Sequence, residues 1–255
     1  MKIATGVDML EISSNVMENL TVINPTLIWD KDIVILVDAG FPGQLPQIRE
    51  AFEIAGVSFD KLNMVILTHH DIDHIGSLSA ILKEMPDNIN VLAHEEEKPY
   101  INGEKVPLKV AGLEANLGSL PEKMKVMYGK FKVAFQNCKV NVDKTLIGGD
   151  ELSYCGGIQV IFTPGHTIGH ICLYLKQSKT LIAGDMLRVD DGKLIRVDPS
   201  TNFDTALSIK SLKKLTNYDI ETVICYHGGV YNENANQRII ELSYHVSNFA
   251  ANICI

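Results

Sequence analysis

The chain has 255 residues, of which 46% are hydrophobic, and a formal net charge of −8. That is enough apolar material for a large core, and the expected organisation is a single domain over residues 1–255. The acidic balance, with no basic cluster denser than Lys210-Ser211-Leu212-Lys213-Lys214, argues against a nucleic-acid partner, and no stretch nears the roughly 18 apolar residues of a membrane span.

The residues from Met1 to Asp8 carry one positive charge and no long apolar segment, unlike a secretory leader, so the expected location is the cytoplasm. Cys138, Cys155, Cys172, Cys225 and Cys254 are scattered, form no CxxC pair and read as small buried hydrophobes. Leu20 to Trp29 and Ile33 to Val37 flank the polar Asp30-Lys31-Asp32 and predict a β-hairpin. At Asp38-Ala39-Gly40 the strand breaks, and Asp38 is read as satisfying backbone donors in that turn, with support of a nearby site as the alternative. Leu45, Ile48, Phe52 and Ala55 recur at helical spacing, Gly56 stops the helix, and Met64 to Leu67 is the next strand. A strand-helix-strand unit implies parallel strands by the crossover rule.

That strand empties into Thr68-His69-His70-Asp71-Ile72-Asp73-His74-Ile75-Gly76. Imidazole and carboxylate together are ligands for zinc, iron or manganese. In an extended loop His69, Asp71 and Asp73 would point toward one centre, and His74 would face elsewhere, so two metals could share the loop. The competing reading is a polar turn in which Asp73 or Ser77 caps the following helix. Leu78, Ile81 and Leu82 form the apolar side of that helix, Pro86-Asp87-Asn88 ends it, and Val91 to His94 is a short strand whose His94 is read as a strand-end polar residue.

From residue 95 to about 146 the pattern loosens into weakly amphipathic pieces punctuated by Pro and Gly. Tyr100, Leu113, Leu117, Met124, Met127, Tyr128, Phe131 and Phe135 could line a substrate pocket or form a small core of their own. Strands follow at Ile158 to Phe162, Ile171 to Leu175, Thr180 to Ile182 and Thr222 to Ile224, with a helix begun by Asp204 and carrying Leu207, Leu212 and Leu215. Three of these strands end in Gly165-His166, Gly184-Asp185 and Tyr226-His227, each beside glycine, and His170 follows His166 by four residues. A last helix is striped by Ile239, Leu242, Val246 and Phe249, with His245 at its surface or packed against it. Ligand-type residues at four strand ends suit a site held on loops by rigid sheets.

The ordered series THHDIDH, TPGHTIGH, AGD and YHGG resembles the metallo-β-lactamase-fold hydrolases, whose pattern is HxHxDH followed by a distant His, Asp and His. The resemblance implies an α/β fold, a four-layer αββα sandwich with a variable insert or cap at about residues 95–146, a small-molecule substrate and two divalent metal ions, zinc first. It implies further that His69, Asp71 and His166 hold the first ion, that Asp73, His74 and His227 hold the second, and that Asp185 bridges them. Asp73 is also the expected catalytic group, orienting a bridging hydroxide that attacks a small ester, lactone or thioester. His70, His170, Asp38 and Tyr226 are candidates for a supporting shell, Tyr226 also for protonating a leaving group if it turns inward. The departure is Asp71, where the family pattern has His. It lowers the formal charge of the cluster by one unit and favours iron or manganese more than the usual set does; a shift of register would instead bring in His70. Alternatives on the same fold are a di-iron protein reducing oxygen or nitric oxide, for which little chain follows His227, a phosphodiesterase, and a binding protein without turnover. The oligomeric state is left open, with a homodimer among the choices.

Overall fold

A computed structural model describes residues 1–16, 19–85 and 89–244. Side-chain alternation along buried strands sets the layers. In Val34–Val37, Val34 and Leu36 enter one apolar cluster while Ile35 and Val37 enter another. In the neighbouring Met64–Leu67, Val65 and Leu67 join the first and Met64 and Ile66 the second. Every residue of both strands is buried, which is the signature of a sheet covered on both faces.

The first sheet runs in the order Lys2–Ala4, Val7–Met9, Thr26–Trp29, Val34–Val37, Met64–Leu67, Asn90–His94, Lys144–Leu146, and its last four strands are parallel. The second runs Glu151–Leu152, Ile158–Phe162, Ile171–Leu175, Thr180–Ile182, Thr222–Cys225, Gly229–Tyr231, with Thr180–Ile182 and Thr222–Cys225 parallel. Its Val160, Leu173, Ile182 and Ile224 meet Ile35 and Ile66 of the first sheet in the central core. On its outer face Cys172, Leu181, Val223 and Cys225 pack with Leu212 and Ile239 of the helices Thr205–Leu212 and Ala235–Tyr244. On the far side of the first sheet Ile48 and Phe52 of Leu45–Ala55 do the same, and Gly56 closes that helix at φ 74°. The four-layer αββα sandwich expected from the resemblance is the architecture found.

The hairpin expected from Leu20 to Trp29 is divided. Asn19–Ile23 pairs with Ile12–Val16 in a separate ribbon, and only Thr26–Trp29 pairs with Val34–Val37. Pro25 has no N–H to carry a ladder, and the buried Asn24 side chain donates to Leu10 O instead, so the chain changes sheet there.

Between Asn90–His94 and Lys144–Leu146 the chain forms the helices Lys98–Ile101, Leu108–Ala115 and Glu122–Asn137. Phe131 and Phe135 pack on the core of the first sheet rather than lining a pocket. Cys138, Cys172 and Cys225 are buried free thiols and Cys155 is half-buried. Among the described residues no helix is long and apolar enough to cross a membrane. The helix stop at Pro86-Asp87-Asn88, together with His245, Val246, Phe249 and Cys254, lies outside the described residues.

Candidate metal centre

The parallel strands deliver their C-terminal ends to one edge between the sheets. Val34–Val37 runs into Asp38 and Met64–Leu67 into Thr68 and His69, while Thr180–Ile182 leads to Asp185 and Thr222–Cys225 to His227. The loop after His69 is extended only as far as Asp71; Ile72–Ile75 is a helical turn. Alternation therefore places His69 and Asp71, whereas Asp73 and His74 are placed by the turn. Capping does not account for these residues: Asp71 sits at the cap position without a side-chain cap bond, and Ser77 Oγ donates to Phe41 O at 2.6 Å.

Two groups of ligand atoms converge, each within 4.8 Å: His69, Asp71, His166 and Asp185 in one, and Asp73, His74 and His227 in the other. Asp71 Oδ2 lies 3.3 Å from His69 Nε2 and 3.1 Å from His166 Nε2. Asp73 Oδ2 lies 3.3 Å from His227 Nε2. Asp185 faces both groups, with Oδ2 3.3 Å from His166 Nε2 and Oδ1 3.4 Å from His74 Nε2 and 3.5 Å from His227 Nε2.

The buried atoms His69 Nε2, His74 Nε2 and Asp185 Oδ1 make no hydrogen bond. Buried polar atoms are costly to leave unpartnered, and three that face one another between carboxylates fit a cation-binding centre. The outer ring nitrogens of three of the cluster's imidazoles have partners of their own, which fixes the direction in which the inner ones point. His74 Nδ1 bonds Asp38 Oδ2 at 2.8 Å, His69 Nδ1 lies 3.0 Å from Thr68 Oγ1, and His166 Nδ1 lies 3.3 Å from Asn202 Oδ1. Asp38 also accepts from Thr68 N and Thr68 Oγ1, each at 2.8 Å, so it bonds the neighbouring strand and His74 rather than its own turn. This corrects the reading in which Asp38 satisfies the donors of its own turn.

Charge in the cluster is unevenly distributed. Burial and the neighbouring His74 charge press His69 well below the usual imidazole range. His74 goes the other way, since Asp38, Asp185 and Asp73 outweigh its burial. For His227, Asp185 and Asp73 overcome burial and raise it to about 10. Asp71 and Asp185 are held well below the carboxylate range against burial, Asp71 by His166, His69 and Lys109, Asp185 by His227 and His74. Such a balance of imidazoles and carboxylates changes sharply when a dication takes the proton's place.

His70 turns away from the cluster. Its Nδ1 bonds the buried Glu97, and its ring stacks on Tyr100 at 4.5 Å, so the shifted register does not form. His170 accepts from Asp185 N at 3.0 Å through Nε2, while Nδ1 lies 2.9 Å from Thr163 Oγ1; burial and the nearby His166 lower it to about 3, so it is a neutral support of the Asp185 turn. Tyr226 is buried, stacks on His74 at 3.8 Å and donates to Asp73 O at 2.5 Å. Its hydroxyl is engaged in holding the loop rather than in facing a leaving group. His94 stacks on Phe162, away from the centre.

Beside the first group opens a cavity of about 410 Å³ bounded by His70, Lys109, His166, Asn202 and Phe203. A larger groove of about 950 Å³, lined by Trp29, Asn63 and Cys155, lies at the opposite end of the strands and contains no ligand cluster. Four contributors were not singled out from sequence. Thr68 sits next to His69, a signal by proximity, whereas Glu97, Lys109 and Asn202 lie in stretches with no pattern pointing to a site.

The family model of the metallo-beta-lactamase superfamily matches residues 19–227. The chain belongs to the metallo-β-lactamase superfamily. The metal-dependent hydrolase class read from its motifs stands with that membership. Among curated proteins it is 28% identical over 209 residues to the probable metallo-hydrolase YflN of Bacillus subtilis, covering 76% of this chain and 75% of that protein. To the hydroxyacylglutathione hydrolase of Buchnera aphidicola it is 27% identical over 210 residues, covering 79% of this chain and 63% of the relative. Among solved structures, a metallo-beta-lactamase family protein of Thermus thermophilus superposes with a TM-score of 0.72 at 22% identity, over 96% of this chain and 80% of the other. A superfamily protein from Sulfolobus tokodaii gives 0.63 at 21%, over 98% and 90%. At these identities the superpositions speak for the fold.

Proposed function

We propose that this superfamily member is a binuclear metallohydrolase acting on a small ester, lactone or thioester. The observation that carries the reading is Asp185, whose two oxygens face the two groups of ligand atoms separately. A carboxylate so placed suits a bridge between two ions. His69, Asp71 and His166 would hold the first ion, Asp73, His74 and His227 the second. Zinc is the first choice for an imidazole-rich set, with iron or manganese admitted by Asp71.

Two divalent ions there would supply Lewis-acid polarisation of a carbonyl and an activated water near neutral pH. The chain's own part is orientation. Asp73, held by its neighbouring turn and by Tyr226 on its carbonyl, directs a carboxylate oxygen toward His227 and His74 of the second group. The 410 Å³ cavity has room for an acyl group, with Phe203 and Leu108 as apolar wall and Asn202 and Thr201 as polar rim. Helices between residues 95 and 146 supply Leu108 and Lys109 to that wall, in keeping with a cap over the site. The hydroxyacylglutathione hydrolase relative places thioesters first for testing.

Elemental analysis of the protein purified without added metal, followed by a screen of thioesters, lactones and phosphodiesters, tests the reading. About two zinc atoms per chain and turnover of an acyl substrate are expected. Two irons together with oxygen consumption would replace it with the redox alternative. In Asp71→Ala, removal of one first-site ligand should cost more than the roughly 10- to 100-fold in affinity that loss of a ligand's hydrogen-bond partner costs, and for one of the two ions only. An Asp71→Ala protein that keeps both ions and full activity would remove Asp71 from the ligand set.

A further inference from the structure

Lys109 stands on the helix Leu108–Ala115, outside the strand ends that supply the ligand residues. Its ammonium nonetheless donates to Asp71 Oδ2 and lies 3.2 Å from His166 Nε2. These two atoms are 3.1 Å apart and converge with His69 Nε2 and Asp185 Oδ2. A metal ion and an ammonium need the same lone pairs there: His166 Nε2 can accept from one donor in its plane, and lysine has only donors. Both cations cannot use the two atoms at once.

The surroundings make exchange feasible. The Lys109 side chain is 45% exposed against 12% for Asp71, and it lines the 410 Å³ cavity into which its flexible stem can swing. The pairing also explains how Asp71 is accommodated. A histidine at that position would have offered the ammonium no charge to neutralise, whereas the carboxylate brings a full unit. Lysine and aspartate thus match each other across two distant parts of the chain.

We propose that Lys109 is a tethered competitor for the first metal position. It is the counterion of Asp71, it holds Asp71 Oδ2 and His166 Nε2 until an ion takes them, and it then withdraws into the cavity, so that metal loading is coupled to the position of the helix Leu108–Ala115. This rests on the binuclear reading above.

The test is a titration of the chelator-stripped full-length chain with zinc against a chromophoric chelator, comparing wild type, Lys109→Met and Lys109→Arg. In Lys109→Met one of the two binding steps should tighten about tenfold, the scale of a charge-assisted hydrogen bond removed from the competitor, while the other stays put. Lys109→Arg, which keeps the cation, should remain close to wild type. Zinc should also raise amide hydrogen exchange across residues 108–115 in wild type and leave it unchanged in Lys109→Met. If Lys109→Met does not fold by circular dichroism, Lys109→Gln carries the same expectation. Unchanged or weakened zinc steps in a folded Lys109 variant, with wild type still binding two ions, would overturn the competitor role and leave the proposed function standing. A wild type that takes up no zinc and no other divalent ion would defeat both.

Discussion

Glu97 ties the two ligand loops together from beneath. Its Oε2 bonds His70 Nδ1 and accepts from His70 N at 2.8 Å, while Oε1 accepts from Thr167 Oγ1 at 2.7 Å and Gly169 N at 2.6 Å. Burial works against its charge, yet His70, Thr167 and Gly169 hold its pKa below the ordinary glutamate range. A depressed carboxyl contributes stability that is present above its unfolded pKa and lost as pH falls through the folded value. Glu97→Gln should therefore cost about 3 kcal/mol at pH 7, as expected for one partner removed from a buried pair, and the deficit should narrow below the usual glutamate range as the wild-type carboxylate protonates. Denaturant titrations at several pH values check this, and equal stability at pH 7 would refute it. Glu97 follows Glu95 and Glu96, which are exposed, and only the packing buries the third residue. His69, His166 and His227 were legible because each comes soon after an apolar run and beside further ligand-type residues or glycine; His94 also follows such a run and stacks on Phe162 instead.

Short glycine elements fix the angles at which the strand ends deliver these residues. Gly228, next to His227, has φ 90°, and a Cβ there would lie 1.9 Å from Val189 O. The backbones are joined at that point, since Val189 N donates to His227 O at 3.1 Å. Gly228→Ala should therefore lose about 2–4 kcal/mol through strain and displaced backbone. It should also reduce the occupancy of the ion that Asp73, His74 and His227 would hold, measured by denaturation and metal analysis. Native stability with full metal content would contradict this. The glycine was visible beside His227, and the parallel strands followed from the strand-helix-strand order, but the change of sheet at Asn24-Pro25 was not. Asn24-Pro25 interrupts the apolar run and marks a turn, but hydrophobic pattern alone cannot say that the strands on its two sides join different sheets.

At the scale of the molecule, the candidate centre sits across the seam of the sandwich. Asp71, Asp73 and the paired His69 and His74 come from the first sheet; His166, Asp185 and His227 come from the second. Ions bound there would cross-link the two halves through a site that exists only when both are folded. Ligand excess of a thousandfold over Kd adds about 4 kcal/mol to the native state. With about 2–4 °C per kcal/mol for a chain of this size, chelation should lower Tm by roughly 10 °C, and zinc should restore it. Calorimetry with and without chelator measures the difference, and a Tm indifferent to chelation and readdition would argue against a structural link.

Sequence by itself determined the buried strands and the ligand candidates, because burial on two faces writes continuous apolar strands and metal chemistry restricts the residue types at their ends. The four layers were implied by the family resemblance those motifs carry. Tertiary structure turned His70 onto Glu97 and Asp71 into the cluster, moved Asp38 onto His74, and seated the Tyr226 hydroxyl on a backbone carbonyl. It also brought Glu97, Lys109 and Asn202 to the ligand loops from segments whose local sequence resembles ordinary surface. The physical reason is that a ligand type is specified by its chemistry, whereas a supporting contact is specified by distance, and distance between remote segments exists only after the sheets have packed.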